Sequence, residues 1–149
     1  MHATDVDAAP AAVWDTQIAA CPGPRASGLL RAWAVAVGAE PAAANGLASH
    51  VIGAERPGLV VREVVPPATW AAAGRHRFAR YQVVFRIEPT VSGASRLSAE
   101  TYASFPGRGG SAWRRIVMDF GLHALAMRAV LAWLRRRAEQ RRPAPGDRV

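Results

Sequence analysis

FGLHALAMRAVLAWLRRRAEQRR, residues 120–142, begins as an almost unbroken apolar run and closes in arginine. It reads as a helix that crosses a membrane, grips nucleic acid or covers a sheet, and the choice decides the fold. The pattern extends back to Ser111, which suits a helix cap, and forward to about residue 140. Such a helix spans roughly 45 Å at about 1.5 Å per residue. Successive residues stand about 100° apart. That spacing gathers Trp113, Ile116, Val117, Phe120, Ala124, Met127, Val130, Leu131 and Leu134 on one broad side, with His123 at its edge. A stripe of that width buries against a sheet. Met118, Leu122, Leu125, Ala129 and Trp133 form a second, narrower stripe on the other side.

A membrane span needs about 20 mainly apolar residues. Ile116 to Leu134 approaches that length but contains Asp119, His123 and Arg128. Each central charge costs roughly 2.5–3.5 kcal/mol on insertion, so the sequence predicts no transmembrane segment. RRRAEQRR, residues 135–142, supplies charge, but no aromatic residues stand beside it as a stacking platform. Cations at a helix C-terminus also complement its dipole. The expectation is a solvated last turn with no specific nucleic-acid partner.

Composition agrees with a globular chain. The 149 residues suffice for one domain with a real core. Half of them are hydrophobic and a fifth are charged. The net charge of +8 points to an anionic partner only weakly, because all 19 basic residues are arginine. With the abundant alanine, this reads as the imprint of a GC-rich genome. The single cysteine, Cys21, has no disulfide or metal-binding cysteine partner and reads as a small apolar residue. MHATDVDAAPAAVW lacks the positive start and apolar core of a signal peptide; cytoplasmic is the expected location.

Working outward from the helix, HATDVDA alternates as a first strand, and Pro10 opens a short helix through AAVWDTQIAA. CPGP ends it. Ser27 suits the cap of a second short helix, SGLLRAWAVAVG, closed by Gly38. LASHVIG, LVVREVV, RYQVVFRIE and SRLSAETYASF are strand-like runs separated by turn residues. Tyr81, Val83, Phe85 and Ile87 share one face of the third run. Leu97, Ala99, Thr101 and Ala103 share one face of the fourth, with Arg96, Ser98, Glu100 and Tyr102 on the other. PTVSGA joins these two as an antiparallel hairpin. PPATWAAAGRHRF reads equally as a loop with a helical turn or as a distorted strand. Residues from Pro143 onward read as a disordered tail.

This order resembles the helix-grip fold of the START-like, or SRPBCC, superfamily, which includes polyketide cyclase/dehydrase-like and lipid-transfer proteins. DVDAAPAAVWDT is similar to its opening strand and helix, SRLSAETYASF to its late strand, and WRRIVMDFGLHALAMRAVLAWLRRRAE to the closing helix of bacterial members. The resemblance implies an α+β fold in which a curved antiparallel sheet wraps around a long C-terminal helix, with two short N-terminal helices. Residues 1–142 would form one START-like domain. It also implies an internal cavity holding a lipid- or polyketide-like small molecule, lined by Trp113, Phe120, His123 and Met127 opposite Tyr81, Val83 and Phe85. A cyclase/aromatase-type enzyme and a protein-interaction module with a vestigial cavity are the alternatives. For proton transfer the candidates are His123, Tyr81 and Glu100, although Glu100 is expected outside, paired with Arg86 or Arg96. The four histidines show no metal-ligating spacing, no nucleophile elbow or phosphate loop appears, and no cofactor is expected. GRGGS, residues 107–111, reads as a turn. The second helix stripe predicts a homodimer through Met118, Leu122, Leu125 and Trp133.

Overall fold

The computed structural model describes residues 1–21, 28–119 and 121–141; side chains at positions 29, 30, 118, 119 and 122 also lie outside the description. The expected Ser27 cap, Phe120 as a pocket residue, the contacts of Met118 and Leu122, and the tail from Pro143 therefore fall beyond it.

Six strands form one antiparallel sheet: β1 (His2–Val6), β2 (Glu55–Arg56), β3 (Leu59–Val65), β4 (Thr69–His76), β5 (Ala79–Pro89) and β6 (Ser95–Ser104), in the order β1-β6-β5-β4-β3-β2. The sheet is curved. The faces expected from alternation meet across the β5–β6 hairpin: Tyr81 stands opposite Ala103, Val83 opposite Thr101, Phe85 opposite Ala99 and Ile87 opposite Leu97. The undecided stretch before β5 is a strand. Trp70, Ala72 and Gly74 of β4 pair with Phe85, Val83 and Tyr81 and so continue the same inner face.

LASHVIG is not a strand. Residues 49–53 form turns, with Ile52 63% exposed. Their polar groups are met locally instead of by a ladder. Asn45 donates from Nδ2 to Gly53 O (2.9 Å) and accepts at Oδ1 from Leu47 N and Glu55 N. Trp70 Nε1 donates to Ser49 O (2.9 Å), which ties the loop to the sheet.

Helix α1 (Pro10–Ala20) starts with proline at its first positions, where the missing N–H is harmless, and buries Val13, Trp14, Thr16 and Gln17. Helix α2 (Gly28–Val37) stops at Gly38, whose φ of 63° suits glycine. The expected single C-terminal helix is divided. Helix α3 (Gly107–Arg114) begins earlier than expected, after Pro106, and Ser111 lies inside it with Oγ donating back to Gly107 O (3.1 Å). Five residues of π winding follow, Arg115–Asp119, and α4 (Leu122–Gln140) starts afresh from Gly121 at φ 70°. The left-handed glycine ends one helical register and begins another. At 19 residues, α4 is about 28 Å long.

The break explains why the expected apolar stripe is not one face. Leu131, Leu134 and Ala138 are buried with α1 and β1, and Met127 packs against that core. Ile116, on the other side of the break, is 50% exposed, and Val130 lies on the exposed border of the buried arc. Across the chain ends, Asp7 N donates to Glu139 Oε1 (3.2 Å) and Ser95 Oγ to Ala8 O (2.7 Å).

Candidate functional site

The inner face of β3, β4 and β5 borders a partly open pocket of about 310 Å³. Val61, Ala72 and Val83 form its sheet wall, because they stand opposite one another in register on adjacent strands and so point to the same face. Leu59 and Trp70 extend that wall, Trp33 of α2 closes the opposite side, and Cys21 reaches it from the end of α1. The lining is mainly apolar, with a few polar groups at two ends, as small-molecule sites commonly are.

One polar end is built from Arg56 and Ser49, both buried. Arg56 donates to Ser49 Oγ (2.8 Å), Leu47 O (2.8 Å) and Glu55 O (2.6 Å), so its charge is buried within hydrogen bonds to the loop. Burial pushes the Cys21 thiol up to about 11, with the Arg56 charge pulling the other way. Cys21 is therefore a thiol at neutral pH, as expected of a small inert residue.

The other end holds His76 and Tyr81. Tyr81 donates from its hydroxyl to Gly58 O (2.6 Å), and burial raises its phenol above the ordinary value. Gly74 makes this possible: a Cβ there would stand 1.8 Å from Gly58 O. His76 is ringed by aromatics, with centroids at 5.4 Å to Trp113, 5.6 Å to Tyr81, 6.1 Å to Phe78 and 6.3 Å to Trp33. Phe78 and Trp113 stack at 5.2 Å and 17°, which pins α3 over the β4–β5 turn. Burial lowers the His76 pKa below its ordinary value, which favours the neutral ring.

The residues expected to line a pocket separate into groups. Tyr81 and Val83 border the cavity. Trp113 joins the aromatic ring around His76. Phe85 lies against Trp70, at 6.1 Å between centroids, and Met127 supports the core under α4. His123 is half-buried elsewhere. Its pKa is lowered by burial first, then by His2 and the N-terminal charge, which places it by β1. Glu100 is on the outer face, as expected, but accepts from the Tyr102 hydroxyl (2.6 Å) rather than from arginine. Arg96 instead lies 3.8 Å from Asp5. His123, Tyr81 and Glu100 thus occupy three different places. Among the described residues no cluster of three metal-ligating side chains occurs, and no helix is long and apolar enough to cross a membrane.

Trp33, Arg56, Leu59, Val61, Trp70 and His76 are among the cavity residues that sequence reading missed. A strand reading of TWAAAGRH would have found two of them, since Trp70 and His76 fall on the same alternate positions as Ala72 and Gly74. Arg56 carried no local signal. A larger hollow, about 1040 Å³, lies along Val60, Ala73, Gln82 and Tyr102 on the outer sheet face. It is an open trough, and a ligand there would bury only one side.

A curved antiparallel sheet packed against a C-terminal helix is the helix-grip arrangement. Two solved structures with TM-scores of 0.50 or more, from Mesorhizobium loti and Colwellia psychrerythraea, are similar to it in fold. A protein from Mesorhizobium loti, MLL2253, is 13% identical with a TM-score of 0.53, over 95% of this chain and 97% of that one. The Aha1 dimer from Colwellia psychrerythraea is 16% identical with a TM-score of 0.50, over 93% of each chain. CalU16 from Micromonospora echinospora is 15% identical with a TM-score of 0.44, over 93% of this chain and 82% of that one. At these identities the likeness to the first two is one of fold alone. No family model matches the sequence, and no curated protein matches it.

Proposed function

We propose that this chain is a START-like protein that binds an apolar or aromatic small molecule in the cavity between its sheet and α2. The observation that carries the reading is the partly enclosed space of about 310 Å³, walled by Val61, Ala72, Val83, Trp33 and Trp70. Close-packed interiors leave few voids larger than a water molecule, and space of this size falls in the range of small-ligand sites. Tyr81 and Val83 are ligand contacts in this proposal, with Trp113 shaping the entrance behind His76. The ligand is held without cofactor in a cytoplasmic protein. The experiment is titration with 1-anilinonaphthalene-8-sulfonate, alongside native mass spectrometry of gently purified protein. One probe per chain is expected, with Val83→Phe, still folded by near-ultraviolet circular dichroism, losing it. A folded wild type that takes up no probe and carries no small molecule would sink the proposal.

A second reading concerns assembly. Leu125 is 67% exposed and Trp133 44% exposed on α4, with Ala129 also exposed between them. The proposal is a homodimer through this stripe, to which Met118 and Leu122 belong by sequence. Sedimentation at high concentration tests it: wild type is expected as a dimer and Leu125→Glu/Trp133→Glu as a folded monomer. A wild type that stays monomeric removes the idea.

A further inference from the structure

We infer that the ligand carries a hydrogen-bond acceptor, a carbonyl oxygen on an aromatic frame, and that His76 Nε2 donates to it from inside the aromatic ring of Trp33, Tyr81 and Trp113. The inference rests on the proposed cavity function and adds the ligand's chemical class and the group that orients it.

At the β4–β5 turn, Phe78 N donates to His76 Nδ1 at 3.1 Å. A ring nitrogen that accepts an N–H bond bears no proton, so in the neutral imidazole the proton sits on Nε2. The two nitrogens lie on either side of Cε1. Fixing Nδ1 toward the backbone of the turn therefore aims Nε2 away from it. His76 borders the cavity, and among the described residues its one hydrogen bond is the one at Nδ1. Its remaining neighbours are rings: Trp33 at 80° and Trp113 at 73° meet it edge to face, and Tyr81 lies at 47°. Such contacts fix the ring plane and offer Nε2 no oxygen or nitrogen acceptor.

A donor with a fixed direction in a mainly apolar space selects its partner. A ligand that covers Nε2 without accepting leaves a desolvated N–H, whereas a carbonyl oxygen satisfies it. Tyr81 cannot substitute, because its own proton is given to Gly58 O. Arg56 and Ser49 lie at the other end and bond each other and the loop. The acceptor of the ligand therefore belongs at the His76 end and its hydrocarbon rings between Trp33, Val61 and Val83.

The test uses two probes of nearly identical shape, 2-acetylnaphthalene and 2-isopropenylnaphthalene, which differ by oxygen against methylene. Affinities are read from tryptophan fluorescence in wild type and in His76→Phe, which keeps a ring but removes the donor. The ratio of ketone to alkene affinity is expected to fall by about tenfold or more in the variant. A second measurement needs no mutation. Long-range proton–nitrogen correlation on wild type should show His76 protonated at Nε2, with that resonance moving on addition of the ketone and not of the alkene. An unchanged affinity ratio in a folded variant, or a proton on Nδ1, overturns the inference and leaves the cavity reading standing. If neither probe binds folded wild type, the cavity reading fails and the inference fails with it.

Discussion

Along β1 and β6 the inner sheet face meets Val13 and Trp14 of α1 and Leu131, Leu134 and Ala138 of α4, all buried. Along β3 and β4 the same face looks into about 310 Å³ of space. Both halves present apolar side chains with the same alternation, so the difference lies in the cover. Over the first half, two helices send apolar side chains down at helical spacing and fill the layer. Over the second, the cover is α2 and the loop of residues 39–54. The loop is held by polar bonds, from Asn45 to Gly53 O and from Arg56 to Leu47 O and Ser49 Oγ. Helix α2 is held by Trp33 against His76 and by Arg77 N donating to Val37 O (3.1 Å). Hydrogen bonds fix where a cover sits without filling the volume beneath it. A sheet face becomes a site where its cover is tied down but does not reach the floor.

The largest expected effect contrasts truncations in the two halves. Leu134→Ala removes a buried side chain from the filled half and should cost about 2–5 kcal/mol. Val83→Ala enlarges a space that is already empty and should cost less than about 1 kcal/mol. Denaturant unfolding measures both, and equal losses would erase the distinction between the halves.

Next comes Gly74→Ala. Its Cβ would meet Gly58 O at 1.8 Å and push β4 away from the loop that Tyr81 anchors. We expect a loss of about 1–3 kcal/mol, together with weaker probe binding. The same change with wild-type stability would show that the close approach at Gly58 is not required.

Gln17 offers a gain in the filled half. It is buried, and neither its amide nitrogen nor its oxygen has a hydrogen-bond partner among the described residues. Gln17→Met keeps the length and removes both unmet groups, so thermal stability should rise by about 1 kcal/mol. A loss instead would mean that the amide is satisfied in solution.

The smallest effect is in pH. His76 and His123 both titrate below the ordinary histidine value of 6.5, chiefly through burial. The unfolded chain then takes up protons first as pH falls. Stability is retained above about 6.5 and declines as pH drops from there toward the folded pKa values. The denaturation midpoint should be flat from pH 8 to 7 and fall below 6.5. His76→Phe should remove part of that fall, and an unaltered slope would place the whole effect at His123 or elsewhere.

Two-residue alternation and 3.6-residue spacing are properties of neighbouring residues. They were enough to place the β5–β6 hairpin with the residues that share its inner face, and to set two short helices between β1 and the rest of the sheet. Gly121 was misread for a local reason too. A helix tolerates an interior glycine, and the spacing around it continued, so nothing nearby marked the left-handed turn that divides α3 from α4. LASHVIG has strand composition, but its neighbours Asn45 and Arg56 supplied the hydrogen bonds a ladder would have supplied.

The sequence by itself determined the antiparallel β5–β6 hairpin and which of its side chains share the inner face, because each strand's alternation is settled by the pleat of its own backbone. Only the tertiary structure decided that β3 and β4 border a void while β1 and β6 do not, that His123 sits beside His2, and that His76 is ringed by Trp33, Phe78, Tyr81 and Trp113. A void is the volume left between layers contributed by segments far apart in the chain. Its size depends on how far each side chain of the cover reaches, and no local period records that distance.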